Sequence, residues 1–367
     1  MILNEEQGML KETVAQFFAE QAPIERLREL GTEPLSEGYD RALWSEMVEL
    51  GLTGITVPEE FDGLNFGWMA VGAIAQEAGR RMVASPFLSS VVFAQNLLLN
   101  CGSRSQIEAH LPSLISGEKT ASVALDEGRY FAPEAIAMSE SDGRLSGFKS
   151  RVINGQTSDL LLCVARRMSG ELGVALVSSA NAAVSVDAKR SMDLHGHALI
   201  TLDGLSDADI EWLAGNSVDT GLTRAIDQAT IVLAAEMIGS AREALECTVN
   251  YLGEREQFDV KLGTFQALQH RCAQMFCELE LAESAVSAAL AGLDHSAPNL
   301  SILASSAKAL ANDCFTLISS EAVQLHGGMG VTEEMDIGLF LKRSRVCNQL
   351  MGSSSYHRDR FATLSGF

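Results

Sequence analysis

The chain is short of positive charge. Of 367 residues, 27 are Lys or Arg against 48 Asp or Glu, giving a formal net charge of −21. Such a surface repels phosphate backbones and anionic headgroups, which argues against nucleic-acid binding and against electrostatic docking on membranes. Paired cysteines are also missing. Cys101, Cys163, Cys247, Cys272, Cys277, Cys314 and Cys347 contain no Cys-x-x-Cys, and several stand among apolar neighbours, where a free thiol serves as a small hydrophobe. The expectation is a reducing, cytoplasmic setting and no metal site. No uninterrupted run of about 18 apolar residues occurs, so no membrane span is expected. The start, MILNEEQGML, carries acids where a secretory leader needs positive charge. Expected partners are small molecules and other proteins.

The chain exceeds the roughly 250 to 300 residues at which a single core stops growing, so several packed parts are expected. Apolar residues at helical spacing, such as Leu10, Val14, Phe17 and Phe18, predict helices over Asn4 to Leu30, Arg41 to Leu50, Trp68 to Arg81 and Pro86 to Asn100. Near Thr120 the pattern changes to short apolar or alternating runs separated by polar turns: 121–125, 159–165, 173–179 and 183–187. These predict a small antiparallel β domain ending near Asn216. Long helical patterns follow, from Gly221 to about Glu254, from Phe265, and from Ser301 to Leu325. Helices of that length span about 50 Å at about 1.5 Å per residue, and their apolar faces can be buried only in an antiparallel bundle. The expected fold is mainly α with a central β domain: a helical domain over 1–118, a β domain over 119–216 and a four-helix bundle over 217–367.

Two segments carry chemistry. The first, Tyr251 to Gln266 (YLGEREQFDVKLGTFQ), sits between the first two bundle helices. It offers an arginine, whose planar fork suits pyrophosphate, and aromatics that can pack on a flat ring. The second, Glu321 to Gly330 (EAVQLHGGMG), is a helix end rich in glycine, which allows main-chain atoms close to a ligand. Taken singly, the first also fits an exposed helical corner and the second an ordinary helix C-cap.

Together they resemble the acyl-CoA dehydrogenase family, with its Tyr-x-x-x-Arg-x-x-Phe-Gly…Gln and Gln-x-x-Gly-Gly-x-Gly patterns. The three-part order matches that family over essentially the whole chain. The resemblance implies an FAD-dependent oxidoreductase that desaturates an acyl-CoA thioester, acting in lipid or steroid catabolism. It implies that Arg255, Phe258, Leu262 and Gln266 hold the ADP half of FAD. Gln324 and the backbone of Leu325, His326, Gly327 and Gly328 do the same, reaching into a flavin bound mainly by the neighbouring subunit. His326 itself reads as a structural histidine. The expected electron acceptor is an electron-transfer flavoprotein.

The resemblance fails at the reacting end. In the family a loop after the glycines reads Glu-Gly-Thr, and its glutamate removes the α proton while the β hydrogen leaves as hydride to flavin N5. Here that loop reads Met351, Gly352, Ser353, and a thioether takes no proton. Acid-base catalysis of this kind contributes about 10² to 10⁴-fold. The alternative family position for the base, on the first long bundle helix, falls on Ala229, with Asp227 two residues away. The backbone N–H of Met351 can still polarise a thioester carbonyl. The strand that meets the flavin edge in the family reads Ala124-Leu125-Asp126-Glu127, with aspartate for a hydroxyl residue. The family's Trp-Ile-Thr-Asn-Gly reads Arg151-Val152-Ile153-Asn154-Gly155, without the hydroxyl.

Residues serving the ADP half across an interface are therefore kept, and residues serving the flavin ring and substrate within the chain are replaced. The leading expectation is the base-lacking subunit of a heteromeric, α2β2 acyl-CoA dehydrogenase, like bacterial complexes acting on bulky steroid side-chain thioesters. Two alternatives stay open: an autonomous or homo-oligomeric enzyme using Asp126, Glu127, Glu333 or Glu334 as base, and a non-catalytic scaffold of the same fold.

Overall fold

A computed structural model describes residues 1–35, 37–215 and 217–367. Its first helix, α1 (Glu5–Gln21), opens with a capping box in which the Asn4 side chain accepts from Gln7 N and the Gln7 side chain accepts from Asn4 N. The expected continuation to Leu30 is broken. Pro23 donates no N–H and disfavours helical geometry at Ala22, so α2 (Ile24–Thr32) starts afresh. Next come α3 (Arg41–Glu49), capped by Asp40, and α4 (Trp68–Arg80). The segment expected as one helix from Pro86 is a buried π-helical stretch, Phe87–Ala94, running into α5 (Gln95–Cys101). Ser103 then caps α6 (Arg104–Ile115).

One sheet follows, made of β1 (Ala121–Ala124), β2 (Ser139–Ser141), β3 (Arg144–Ile153), β4 (Leu160–Arg166), β5 (Leu172–Ser178), β6 (Val184–Arg190), β7 (Gly196–Ser206) and β8 (Glu211–Trp212). Its order is β6-β7-β3-β2-β4-β5-β8, with β1 also on β4. The sheet is not purely antiparallel as expected: β1 and β2 both run parallel to β4. The chain leaves β1, forms the β2–β3 hairpin and returns to β4 by a crossover, which parallel pairing requires. Leu161, Cys163, Val177, Ile200 and Leu202 form its core. The expected boundary at Asn216 lies outside the described residues.

The long helices are α7 (Val218–Glu254), α8 (Gln266–Asp294) and α9 (Leu300–His326), followed by the shorter α10 (Ile337–Cys347) and α11 (Ser354–Leu364). A small hairpin, β9 (Glu256–Gln257) with β10 (Val260–Lys261), links α7 to α8. On α8 the buried residues Met275, Leu279, Ala282 and Val286 follow helical spacing and form one stripe. The C-terminal part thus contains five α-helices among the described residues.

Contacts group the chain into two units. The bundle unit comprises Met1–Glu25, Trp68–Val83 and Thr230–Phe367; the β unit comprises Arg26–Gly67 and Ala84–Ala229. Two helices from the N-terminal stretch, α1 and α4, therefore belong with the bundle. Asp294 shows how: its carboxylate caps the start of α4, accepting from Trp68 N at 2.6 Å and Met69 N at 3.1 Å.

Candidate functional site

Arg255 leaves the end of α7 with its N–H bonded to the Tyr251 carbonyl at 2.8 Å, and its own carbonyl accepts from Leu262 N at 2.9 Å, which closes the hairpin. At the tip, Phe258 and Asp259 both have positive φ, 58° and 62°, a conformation that costs a non-glycine residue about 1 to 3 kcal/mol. Asp259 stands where the family motif has glycine. Phe258 is 81% exposed and edge-on to Phe265, with centroids 6.2 Å apart. The exposed Arg255 guanidinium has no ion-pair partner among the described residues, and Gln266 opens α8 with an exposed amide. Leu262 is half-buried.

The second segment ends α9. Gln324 is exposed, whereas Leu325 and His326 are buried, so those two can offer a ligand their backbone but not their side chains. Gly327 has φ 61° and ψ −140°, a conformation essentially confined to glycine, and a Cβ built on Gly327 or Gly328 meets open space. The structure brings the two segments together. The rings of Tyr251 and His326 stack at 4.3 Å and 24°, and the Tyr251 hydroxyl donates to the His326 carbonyl at 3.4 Å. His326 Nδ1 lies 2.8 Å from the Ala322 carbonyl, which only accepts, so the proton sits on Nδ1. Burial lowers the pKa of this ring, keeping it neutral.

The loop from Asn348 to Ser353 joins α10 to α11. Met351 is buried with φ 54°, and Gly352 has φ 104°. Behind the loop lies a cluster the sequence reading missed. Lys308, fully buried on α9, donates to Asn312 Oδ1 (2.7 Å), the Cys347 carbonyl (2.9 Å) and the Gly352 carbonyl (3.3 Å). Asn312 Nδ2 donates to the same Gly352 carbonyl at 3.3 Å, and His357 Nε2 lies 2.8 Å from the Met351 carbonyl. Burial brings the Lys308 ammonium down to about 7, and burial with the nearby Lys308 charge brings His357 to about 3. A signal existed: Lys308 interrupts the apolar stripe Ala304, Ala311, Phe315 at helical spacing. The loop is hydrogen-bonded from behind by Lys308, Asn312 and His357, and no carboxylate projects from its Met351 position.

In the β unit, the positions expected to meet the flavin ring hold ion pairs. Arg151, at φ 52° in the bulge between Lys149 and Val152, donates to Asp126 Oδ2 at 3.1 Å and to the Arg129 carbonyl at 2.6 Å. Burial raises the Asp126 pKa against the pull of Arg151. Beside it, buried Lys149 meets Glu127 at 2.5 Å. Burial opposes ionisation of Glu127, but Lys149 and the amides of Ala137 and Met138 outweigh it and hold the carboxyl below its usual range. The remaining candidate bases offer little: Glu333 pairs with Lys342 in solvent, Glu334 is exposed, and Ala229 carries no acid.

Residues 4–118 match the acyl-CoA dehydrogenase N-terminal domain and residues 221–364 the acyl-CoA dehydrogenase C-terminal domain. The chain belongs to the acyl-CoA dehydrogenase family, FAD-dependent oxidoreductases. Among its relatives is the acyl-CoA dehydrogenase IpdE2 of Mycolicibacterium smegmatis, 30% identical over 351 residues, 95% of this chain and 96% of that protein. Among solved structures, a variant of the Tcur3481-Tcur3483 steroid ACAD superposes with a TM-score of 0.88 at 28% identity, covering 98% of each chain. The ChsE4-ChsE5 complex of Mycobacterium tuberculosis has the same fold, with a TM-score of 0.88 at 24% identity, covering 100% of this chain and 99% of that one. No helix among the described residues is long and apolar enough to cross a membrane.

The residues present fit one half of FAD and not the other. An unpaired guanidinium, an exposed aromatic, two free amides and a glycine backbone facing open space suit the ADP half. Where the ring's partners are expected there is an ion pair, and Ile153 has no hydroxyl.

Proposed function

We propose that this chain is the base-lacking subunit of a heteromeric acyl-CoA dehydrogenase, whose homologous partner supplies the catalytic glutamate and the flavin-ring pocket. The observation that carries this reading is Met351: an ordered loop, held from behind by Lys308, Asn312 and His357, presents a thioether where the family has its base. Bound FAD would supply the acceptor for the hydride lost from the acyl β carbon. This chain's share is binding. Arg255 supplies a permanent positive charge for the pyrophosphate, and Phe258 a flat surface for a ring. Leu262, Gln266, Gln324 and the Leu325 to Gly328 backbone complete the contacts to the ADP half. Substrates are acyl-CoA thioesters of a bulky, steroid-derived kind, a reading supported by the likeness to the Tcur3481-Tcur3483 steroid ACAD. An electron-transfer flavoprotein takes the electrons, and the setting is the cytoplasm. Domains bounded near residues 118 and 216 belong to the same reading.

An autonomous enzyme is the weaker reading because Asp126 and Glu127, its best-placed acids, are engaged with Arg151 and Lys149. The test is a pair of substitutions in the co-purified complex. Replacing the partner's glutamate by glutamine abolishes desaturation, whereas Met351→Leu in this chain leaves the rate within about two-fold, far short of a lost base. A Met351→Leu complex that loses desaturation as fully as the glutamine variant contradicts the proposal.

A further inference from the structure

The two cofactor segments are 75 residues apart at the point where they meet, where Tyr251 and His326 share a ring stack and a hydrogen bond. We propose that Tyr251 and His326 are the positioning residues of the ADP half-site, fixing the Arg255 hairpin relative to the Gly327-Gly328 backbone; this rests on the cofactor reading above.

Each residue stands immediately before a segment that cannot place itself. Tyr251 is in the last turn of α7, and its carbonyl accepts from Arg255 N at 2.8 Å, so its placement sets where the hairpin begins. His326 is the last residue of α9. The glycines after it have no side chains to anchor them, and the Gly327 N–H is returned to the Gln324 carbonyl. His326 is held in three ways: Nδ1–H to Ala322, the stacked face of Tyr251, and its carbonyl receiving the Tyr251 hydroxyl. Constellations that bind a ligand need placement to about half an ångström, supplied by supporting contacts of this type. Neither side chain needs to touch the cofactor. The neutral imidazole also keeps the contact free of charge, so it holds geometry without competing with Arg255 for an anion.

The test measures FAD affinity by flavin fluorescence on the full chain in complex with its flavin-bearing partner, alongside the melting temperature of each variant. Tyr251→Ala weakens FAD binding about ten-fold, the upper range of an aromatic pair. Tyr251→Phe keeps the stack and loses a long hydrogen bond, so it weakens binding about two-fold. His326→Phe, which keeps the stack and loses the Ala322 bond, falls between them. Leu290→Ala is the control: a buried residue on α8, outside both cofactor segments, whose truncation lowers the melting temperature while FAD affinity stays at the wild-type value. Wild-type affinity in Tyr251→Ala overturns the inference, as does a Leu290→Ala variant that loses affinity in step with its melting temperature. Arg255→Ala separates the two levels. If it weakens binding while Tyr251→Ala does not, only the positioning role falls; if Arg255→Ala binds FAD normally, the half-site is misplaced and both fall.

Discussion

Lys308 reaches from α9 to the carbonyl of Gly352, 3.3 Å away and one residue beyond Met351. The loop expected to bear the base is thus built and supported in a chain that holds a thioether at that position. An eroded active site would show the loop and its support decaying together.

The buried lysine makes stability depend on pH with a definite sign. Its folded pKa is about 7 against 10.5 for the exposed group, so between those values the unfolded chain binds the proton and the folded chain does not. Stability therefore rises from pH 7 towards pH 10.5 on account of this group and is flat below pH 7. Lys308→Met removes that rise, seen as the difference between wild-type and variant denaturation midpoints across the window. It also takes one donor from Asn312 Oδ1 and from the Cys347 carbonyl, at about 1 to 3 kcal/mol, while the Gly352 carbonyl keeps Asn312 Nδ2.

The Asp126–Arg151 pair is expected to be structural in this chain. Arg151→Ala destabilises the β unit by about 1 to 3 kcal/mol, less than a fully buried pair because the guanidinium keeps 23% of its exposure. Asp126→Ala with Arg151→Ala costs less than the sum of the single changes, as a double-mutant cycle by chemical denaturation will read. Turnover of the complex in Asp126→Asn stays within about two-fold of wild type, well short of the loss of an acid-base catalyst.

What the sequence disclosed and what it hid have physical reasons. The exposure of Arg255 and Gln324 and the positive φ of Gly327 agree with a sequence in which charge and backbone freedom are written locally. The break at Pro23 was equally local and was overlooked in favour of apolar spacing. The parallel pairing of β1 with β4 was not legible, since alternation fixes which face is buried and not the direction of a neighbour. Lys308 was missed because a lysine is read as exposed unless its place on an apolar stripe is checked. The Tyr251–His326 stack joins residues that no periodicity relates.

Arg255→Ala tests the proposed ADP half-site. Loss of a charged hydrogen-bond donor weakens FAD binding by about 1.5 to 3 kcal/mol, about ten- to a hundred-fold, by fluorescence titration of the complex. Raising the salt concentration weakens the wild type more than this variant, because only the wild type has the charge to screen.

The most direct measurement is the visible absorption spectrum of this chain purified alone and co-purified with a homologous dehydrogenase subunit, each then given acyl-CoA. A base-lacking subunit is colourless and inert alone. The complex is yellow, carries flavin at half its chain count and bleaches on adding the thioester. Stoichiometric FAD and acyl-CoA desaturation by this chain alone would contradict the division of labour.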